Sequence, residues 1–158
     1  MPLDPGTPAP AFELTLVPGE APLRLDDYKG ARSVVLLFFP LAFSRVCTKE
    51  MEWMAREYDR WYGLDAEVIG ISVDSAFVNR RFAAELGAPF PIVSDFNRDA
   101  TTAYGVRNDD YFGMRGVSNR AAFVVDRSGM IAYAWMSEDD TLLPPFEEIE
   151  EAVRLIGS

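Results

Sequence analysis

The chain holds one cysteine and no histidine among its 158 residues. Those two facts narrow its chemistry before any fold is considered. Ser/His/Asp and Cys/His catalysis, HExxH zinc sites and cysteine–histidine zinc clusters all need imidazole. A lone thiol forms no internal disulfide, and the places where a CxxC partner would stand hold Ser44 and Glu50. Cys47 is therefore either a nucleophile working without imidazole or an inert core residue, the commoner state of a free cysteine.

Its surroundings favour the nucleophile. In Phe38-Phe39-Pro40-Leu41-Ala42-Phe43-Ser44-Arg45-Val46-Cys47-Thr48-Lys49-Glu50 the thiol sits where an apolar run stops at a proline and a helical pattern begins. In a helix's first turn it faces unpaired N–H groups and the positive end of the helix dipole, which favour thiolate over thiol. Ser44 has two compatible readings, a helix N-cap and a hydroxyl that hydrogen-bonds the thiolate or an oxygen bound to it. Pro40 ends the strand, and its ring would also screen the sulfur from water. Positive charge has to come from arginine. Arg45 is adjacent but free to point to solvent, whereas Arg120 stands just before the apolar run 121–125, at a strand end where sheet folds collect functional groups. A plain surface charge is the other reading of Arg120. Glu50 is either an ordinary first-turn acid or the partner that orients an arginine.

The elements that must position these residues read as follows. Ser33 to Phe39 is a continuous apolar, β-branched run, the pattern of a strand buried on both faces. After Cys47, Met51, Met54, Ala55, Tyr58, Trp61 and Tyr62 fall at helical spacing, with a C-cap expected at Gly63 in the left-handed conformation. A second buried strand covers Glu67 to Val73, and Asp74 or Ser75 caps a helix running to about Leu86. Residues 91–94 form a short strand, 100–104 a weak helical piece and 105–119 a loop. Strands at 121–125 and 130–135 flank a turn at Asp126-Arg127-Ser128-Gly129. Pro144 or Pro145 opens a last helix with Phe146, Ile149, Val153 and Ile156 on one face. Near the N-terminus, 12–16 and 23–25 suggest a hairpin across Pro18-Gly19 that serves as a lid or edge. The order implies one α/β domain spanning 1–158, a sheet covered by helices with an antiparallel pair at one side.

Composition is globular, with 49% hydrophobic residues, and the formal charge of −10 is opposite to that of a nucleic-acid or anionic-membrane binder. The N-terminus lacks a signal-peptide pattern and no apolar run approaches a membrane span, so a cytoplasmic protein is expected. Phe43, Trp53, Tyr111 and Phe112 suit an entry path for organic substrates or, more simply, core or interface packing.

Pro40-x-x-x-Ser44-x-x-Cys47, with Glu50 and with Asn119-Arg120-Ala121-Ala122-Phe123-Val124-Val125-Asp126, resembles the peroxiredoxin active-site pattern, serine standing where threonine is usual. Phe38 to Phe43, Ser94-Asp95-Phe96 and Ala103-Tyr104-Gly105-Val106 are most similar to the alkyl hydroperoxide reductase E branch of one-cysteine enzymes. The resemblance implies a thioredoxin-like fold and a thiol-dependent peroxidase that needs no cofactor. It implies a peroxidatic role for Cys47, with Pro40, Ser44 and Arg120 around it and Glu50 behind. It further implies a peroxide substrate, a sulfenic acid cleared by an external thiol or redoxin, and a homodimer. A non-catalytic redox sensor or holdase on the same fold is the alternative.

Overall fold

The computed structural model describes residues 2–156. In chain order the elements are β1 (Glu13–Leu14), β2 (Leu23–Arg24), a 3-10 turn (Leu25–Tyr28), β3 (Ser33–Phe38), α1 (Arg45–Tyr62), β4 (Ala66–Ser72), α2 (Ala76–Leu86), β5 (Ile92–Ser94), α3 (Asp99–Ala103), β6 (Arg107–Asn108), β7 (Val117–Ser118), β8 (Arg120–Val125), β9 (Ile131–Ser137) and α4 (Phe146–Ile156). The main sheet has the order β5-β4-β3-β8-β9. β3 runs parallel to β4 and β4 to β5, while β8 is antiparallel to both β3 and β9. This is the mixed, helix-flanked thioredoxin-like sheet expected, with β1 and β2 as the N-terminal hairpin.

All six residues of β3 are buried because β3 is the middle strand and both its faces are covered. Val35 and Leu37, with Phe39 just beyond, point into a core shared with Cys47, Met51, Met54 and Trp61 of α1, Phe82 of α2 and Ile149 and Val153 of α4. Val34, Leu36 and Phe38 face the opposite core, built with Phe12, Tyr104 and Phe123. Each such side chain contributes roughly 1.5–3 kcal/mol by leaving water. Gly70 in β4 lets α1 pack closely, because a Cβ there would stand 3.3 Å from Ile92 Cγ1 and 3.6 Å from the Met51 sulfur. Met51 lies one turn beyond Cys47, so this contact fixes the height of the helix start.

Several boundaries differ from the sequence reading. Residues 105–119 contain a two-stranded ladder, β6 with β7, rather than only a loop. Gly63 is right-handed at φ −65°, and the left-handed residue is Asp65 at φ 60°. The helix tightens past Gly63 through Leu64 N–H to Trp61 O and Asp65 N–H to Tyr62 O, so the reversal falls two residues later. A short polar aspartate tolerates it. Of the two caps that the sequence offered for α2, Ser75 is the one used, its hydroxyl accepting from the Val78 N–H at 3.2 Å. Among the described residues no helix is long and apolar enough to cross a membrane.

Candidate active site

The loop between β3 and α1 delivers the thiol. Pro40 is buried behind Phe39, the chain turns through Phe43 at φ 68°, and α1 begins at Arg45. Cys47 is thus the third helical residue, with none of its surface exposed. Ser44 holds the N-cap position with extended backbone, but its hydroxyl does not cap; it donates to the Leu41 carbonyl at 2.8 Å. The helix is closed instead at the Ser44 carbonyl, which accepts from the Thr48 N–H at 2.9 Å and the Thr48 hydroxyl at 2.7 Å.

Arg120 arrives from the far side of the chain by strand polarity. Antiparallel pairing sets Ala121 opposite Phe38, so the first residue of β8 stands beside the end of β3. Its Nη1 donates to Cys47 Sγ at 3.3 Å and to Glu50 Oε1 at 2.6 Å, and its Nη2 donates to the Asp140 carbonyl at 3.1 Å. Arg120 is 1% exposed and Glu50 0%. The surface reading of Arg120 is therefore excluded, and Glu50 is the carboxyl that its Nη1 meets. Arg45 is exposed.

The electrostatics are those of a dry pocket. Burial pushes the Cys47 thiol above its ordinary pKa, while Arg120, the Ser44 hydroxyl and the Leu41 main chain pull it down and Glu50 pushes it up again. Desolvation is the largest of these influences, and it opposes the thiolate that Arg120, Ser44 and the Leu41 main chain favour. Burial likewise carries Glu50 to about 7 in spite of Arg120. Desolvation works against the Arg120 charge, and Glu50 and Cys47 more than restore it. Among the described residues Glu50 Oε2 and Arg120 Nε are buried without a hydrogen-bond partner, which leaves a donor open on the guanidinium.

Sequence reasoning missed two contributors, the Leu41 main chain and Asp140. Backbone groups carry no residue signature, and only the loop geometry reveals them. Tyr111 joins them, its hydroxyl donating to Asp140 Oδ2 at 3.3 Å and its pKa pushed up to about 12 by burial, Asp140 and Cys47. Of the other aromatics, Trp53 stacks on Phe146 at 3.9 Å in the α1–α4 packing, whereas Phe43 and Phe112 are 48% and 78% exposed.

Comparison with known proteins gives one consistent match. A model of the AhpC/TSA family fits residues 5–134. Alkyl hydroperoxide reductase E of Mycobacterium tuberculosis is 36% identical over 138 residues, 86% of this chain and 87% of that protein. Peroxiredoxin-2 of Bos taurus is 34% identical over 160 residues, 96% of this chain and 76% of the relative. Among solved structures, Mycobacterium tuberculosis AhpC superposes with a TM-score of 0.84 at 26% identity, covering 100% of this chain and 95% of its own.

Proposed function

Because this chain belongs to the AhpC/TSA family of peroxiredoxins, we propose that it is a thiol-dependent peroxidase acting on hydrogen peroxide and organic hydroperoxides through Cys47. The observation that carries the assignment of residues is the single guanidinium nitrogen of Arg120 placed 3.3 Å from the only sulfhydryl in the chain.

Cys47 thiolate attacks one peroxide oxygen in line with the O–O bond. The sulfur supplies the electron pair of the new S–O bond, the O–O bond breaks, and the departing oxygen takes a proton to leave as water or an alcohol. Ionisation alone is too small a lever. A thiol of ordinary pKa near 8.5 is a few per cent ionised at pH 7, so full ionisation gains only on the order of thirtyfold, partly offset by weaker nucleophilicity. Donors already aimed at the charge appearing on the separating oxygens are worth about 3 kcal/mol each. Arg120 and the main chain at the start of α1 fill that role, the Ser44 hydroxyl joins them when it turns from the Leu41 carbonyl, Pro40 excludes water, and Glu50 holds Arg120.

The sulfenic acid has no second cysteine in the chain to resolve it. An external thiol or redoxin attacks the sulfur, releasing water and leaving a mixed disulfide, and a second thiol restores Cys47 while the reductant departs as its disulfide. We assign this activity to a single domain spanning the chain, working as a cytoplasmic homodimer that binds neither nucleic acid nor membrane.

One stoichiometric addition of peroxide to the reduced protein should yield a trappable sulfenic acid, and Cys47→Ser should abolish peroxide consumption. Sustained turnover with a thiol reductant is expected. A Cys47→Ser protein that still consumed peroxide would end this reading.

A further inference from the structure

The loop that presents Leu41 and Ser44 to the sulfur is tied down from outside the site. The Ala42 N–H donates to Asp74 Oδ2 at 2.7 Å, across 32 residues of chain. Asp74 lies in the turn between β4 and α2, and the sequence reading offered it only as a helix cap, a task Ser75 performs. Asp74 is itself held on two sides. The Ser72 hydroxyl donates to the same Oδ2 at 2.8 Å, and the Ser94 hydroxyl donates to the Asp74 carbonyl at 2.6 Å. Behind Ser72, buried Asn79 donates through Nδ2 to Ser72 Oγ at 3.0 Å and to the Val93 carbonyl at 3.1 Å. The loop is thereby attached to the ends of two adjacent parallel strands, β4 and β5.

Position in the loop gives this bond its meaning. Ala42 stands between Leu41 and the left-handed Phe43. Leu41 acts on the thiol through its main chain, and its carbonyl accepts the Ser44 hydroxyl. A non-glycine residue at positive φ persists only where neighbouring contacts hold it there. Without an acceptor, the Ala42 N–H would seek another partner and Phe43 would relax toward negative φ, carrying Leu41 and Ser44 with it. We propose that Asp74 is a positioning residue for peroxide reduction, holding the Ala42 N–H so that the Leu41 main chain and the Ser44 hydroxyl face Cys47. Its action runs through a hydrogen bond rather than through its charge, since the charged groups that act on the thiol are Arg120 and Glu50.

This inference rests on the peroxidase reading, and its test keeps the two apart. In the full-length protein, the rate of Cys47 oxidation by hydrogen peroxide is followed by stopped-flow fluorescence in wild type, Asp74→Ala, Asp74→Asn and Asp74→Glu. The thiolate titration at 240 nm and the melting temperature are recorded for each. Asp74→Ala should oxidise at least tenfold more slowly and titrate at higher pH. Asp74→Asn, which keeps an acceptor oxygen of the same reach without charge, should stay within threefold of wild type. Asp74→Glu, which moves the acceptor by one methylene, should lose at least fivefold, and it supplies the test if the alanine variant does not fold. Wild-type rates in Asp74→Ala or Asp74→Glu would overturn the proposal. So would a loss as large in Asp74→Asn as in Asp74→Ala, or a melting temperature that falls with the thiolate titration unmoved. A wild-type protein inert to peroxide would instead sink the peroxidase reading on which this one stands.

Discussion

Replacing Glu50 by glutamine separates the two acids that share Arg120. Gln keeps the length and an acceptor for Nη1, and removes the proton equilibrium. In the fold the Glu50 carboxyl titrates at about 7, against an ordinary 4.5, because burial outweighs the attraction of Arg120. Between those two pH values the folded state holds a proton that the unfolded chain has released, so stability falls as pH rises through the window. Moving one carboxyl from 4.5 to about 7 corresponds to a loss of about 3 kcal/mol, absent at pH 4 and complete by about pH 8. Urea unfolding at half-unit steps from pH 4 to 8 reads this directly. The stability of Glu50→Gln relative to wild type should climb by about 3 kcal/mol across that range. The thiolate titration of Cys47 should also move to lower pH, since Glu50 is one of the groups that push it up. Parallel stability curves for the two proteins would refute the reasoning, because they would mean that Glu50 is ionised throughout.

Arg120→Lys keeps the charge but loses the fork that reaches Cys47, Glu50 and Asp140 together; sulfenic acid formation should slow about 100-fold, the equivalent of one positioned donor, and a stopped-flow rate near wild type would exclude the role. Ser44→Ala should lower the oxidation rate about tenfold and raise the thiolate titration, while Ser44→Thr, which retains the hydroxyl, should match wild type within a few fold. Equal rates for the two variants would assign Ser44 to the helix start alone. Gly70→Ala places a Cβ 3.3 Å from Ile92 Cγ1 and against Met51, so it should cost about 1–3 kcal/mol in urea unfolding; unchanged stability would show that the α1–β4 contact is slack.

What the sequence made legible was whatever expresses itself as a run or a period. Val34 to Phe38 is apolar at every position because both faces of β3 are covered, and α1 shows its stripe because one side meets the sheet. The thiol, its proline and its serine were visible as a local pattern between those elements. Arg120 was harder, because a charged residue before a strand is ordinary and only the antiparallel register against β3 turns it inward. The ladder of β6 and β7 was illegible since strands of two residues have no periodicity. Main-chain contributors such as Leu41 and the Asp140 carbonyl leave no trace in residue type at all. Asp74 was seen only as one of two possible caps, because an aspartate before a helix reads that way unless the loop it reaches is known.

The site sets one permanently charged group against two acids, and that ratio explains features that look contradictory singly. A buried guanidinium needs a counter-charge, and Glu50 and Cys47 compete to supply it through the same nitrogen. If Glu50 were ionised at every pH, the Arg120 charge would be spent there and the sulfur would gain little. If Glu50 were replaced by an apolar residue, Nη1 would lose its carboxyl acceptor, and the strand and the Asp140 carbonyl would be left to hold the guanidinium. Burial pushes the Glu50 carboxyl up towards its protonated form, which weakens its claim on the Arg120 charge without removing the acceptor oxygen. When it carries its proton, Arg120 is still hydrogen-bonded and its charge is left for the sulfur. The same reasoning explains why Arg45 could not serve in its place. A cation on an exposed side chain is screened by water and must be ordered before it acts, whereas Arg120 is fixed by its strand, by Glu50 and by the Asp140 carbonyl before peroxide arrives.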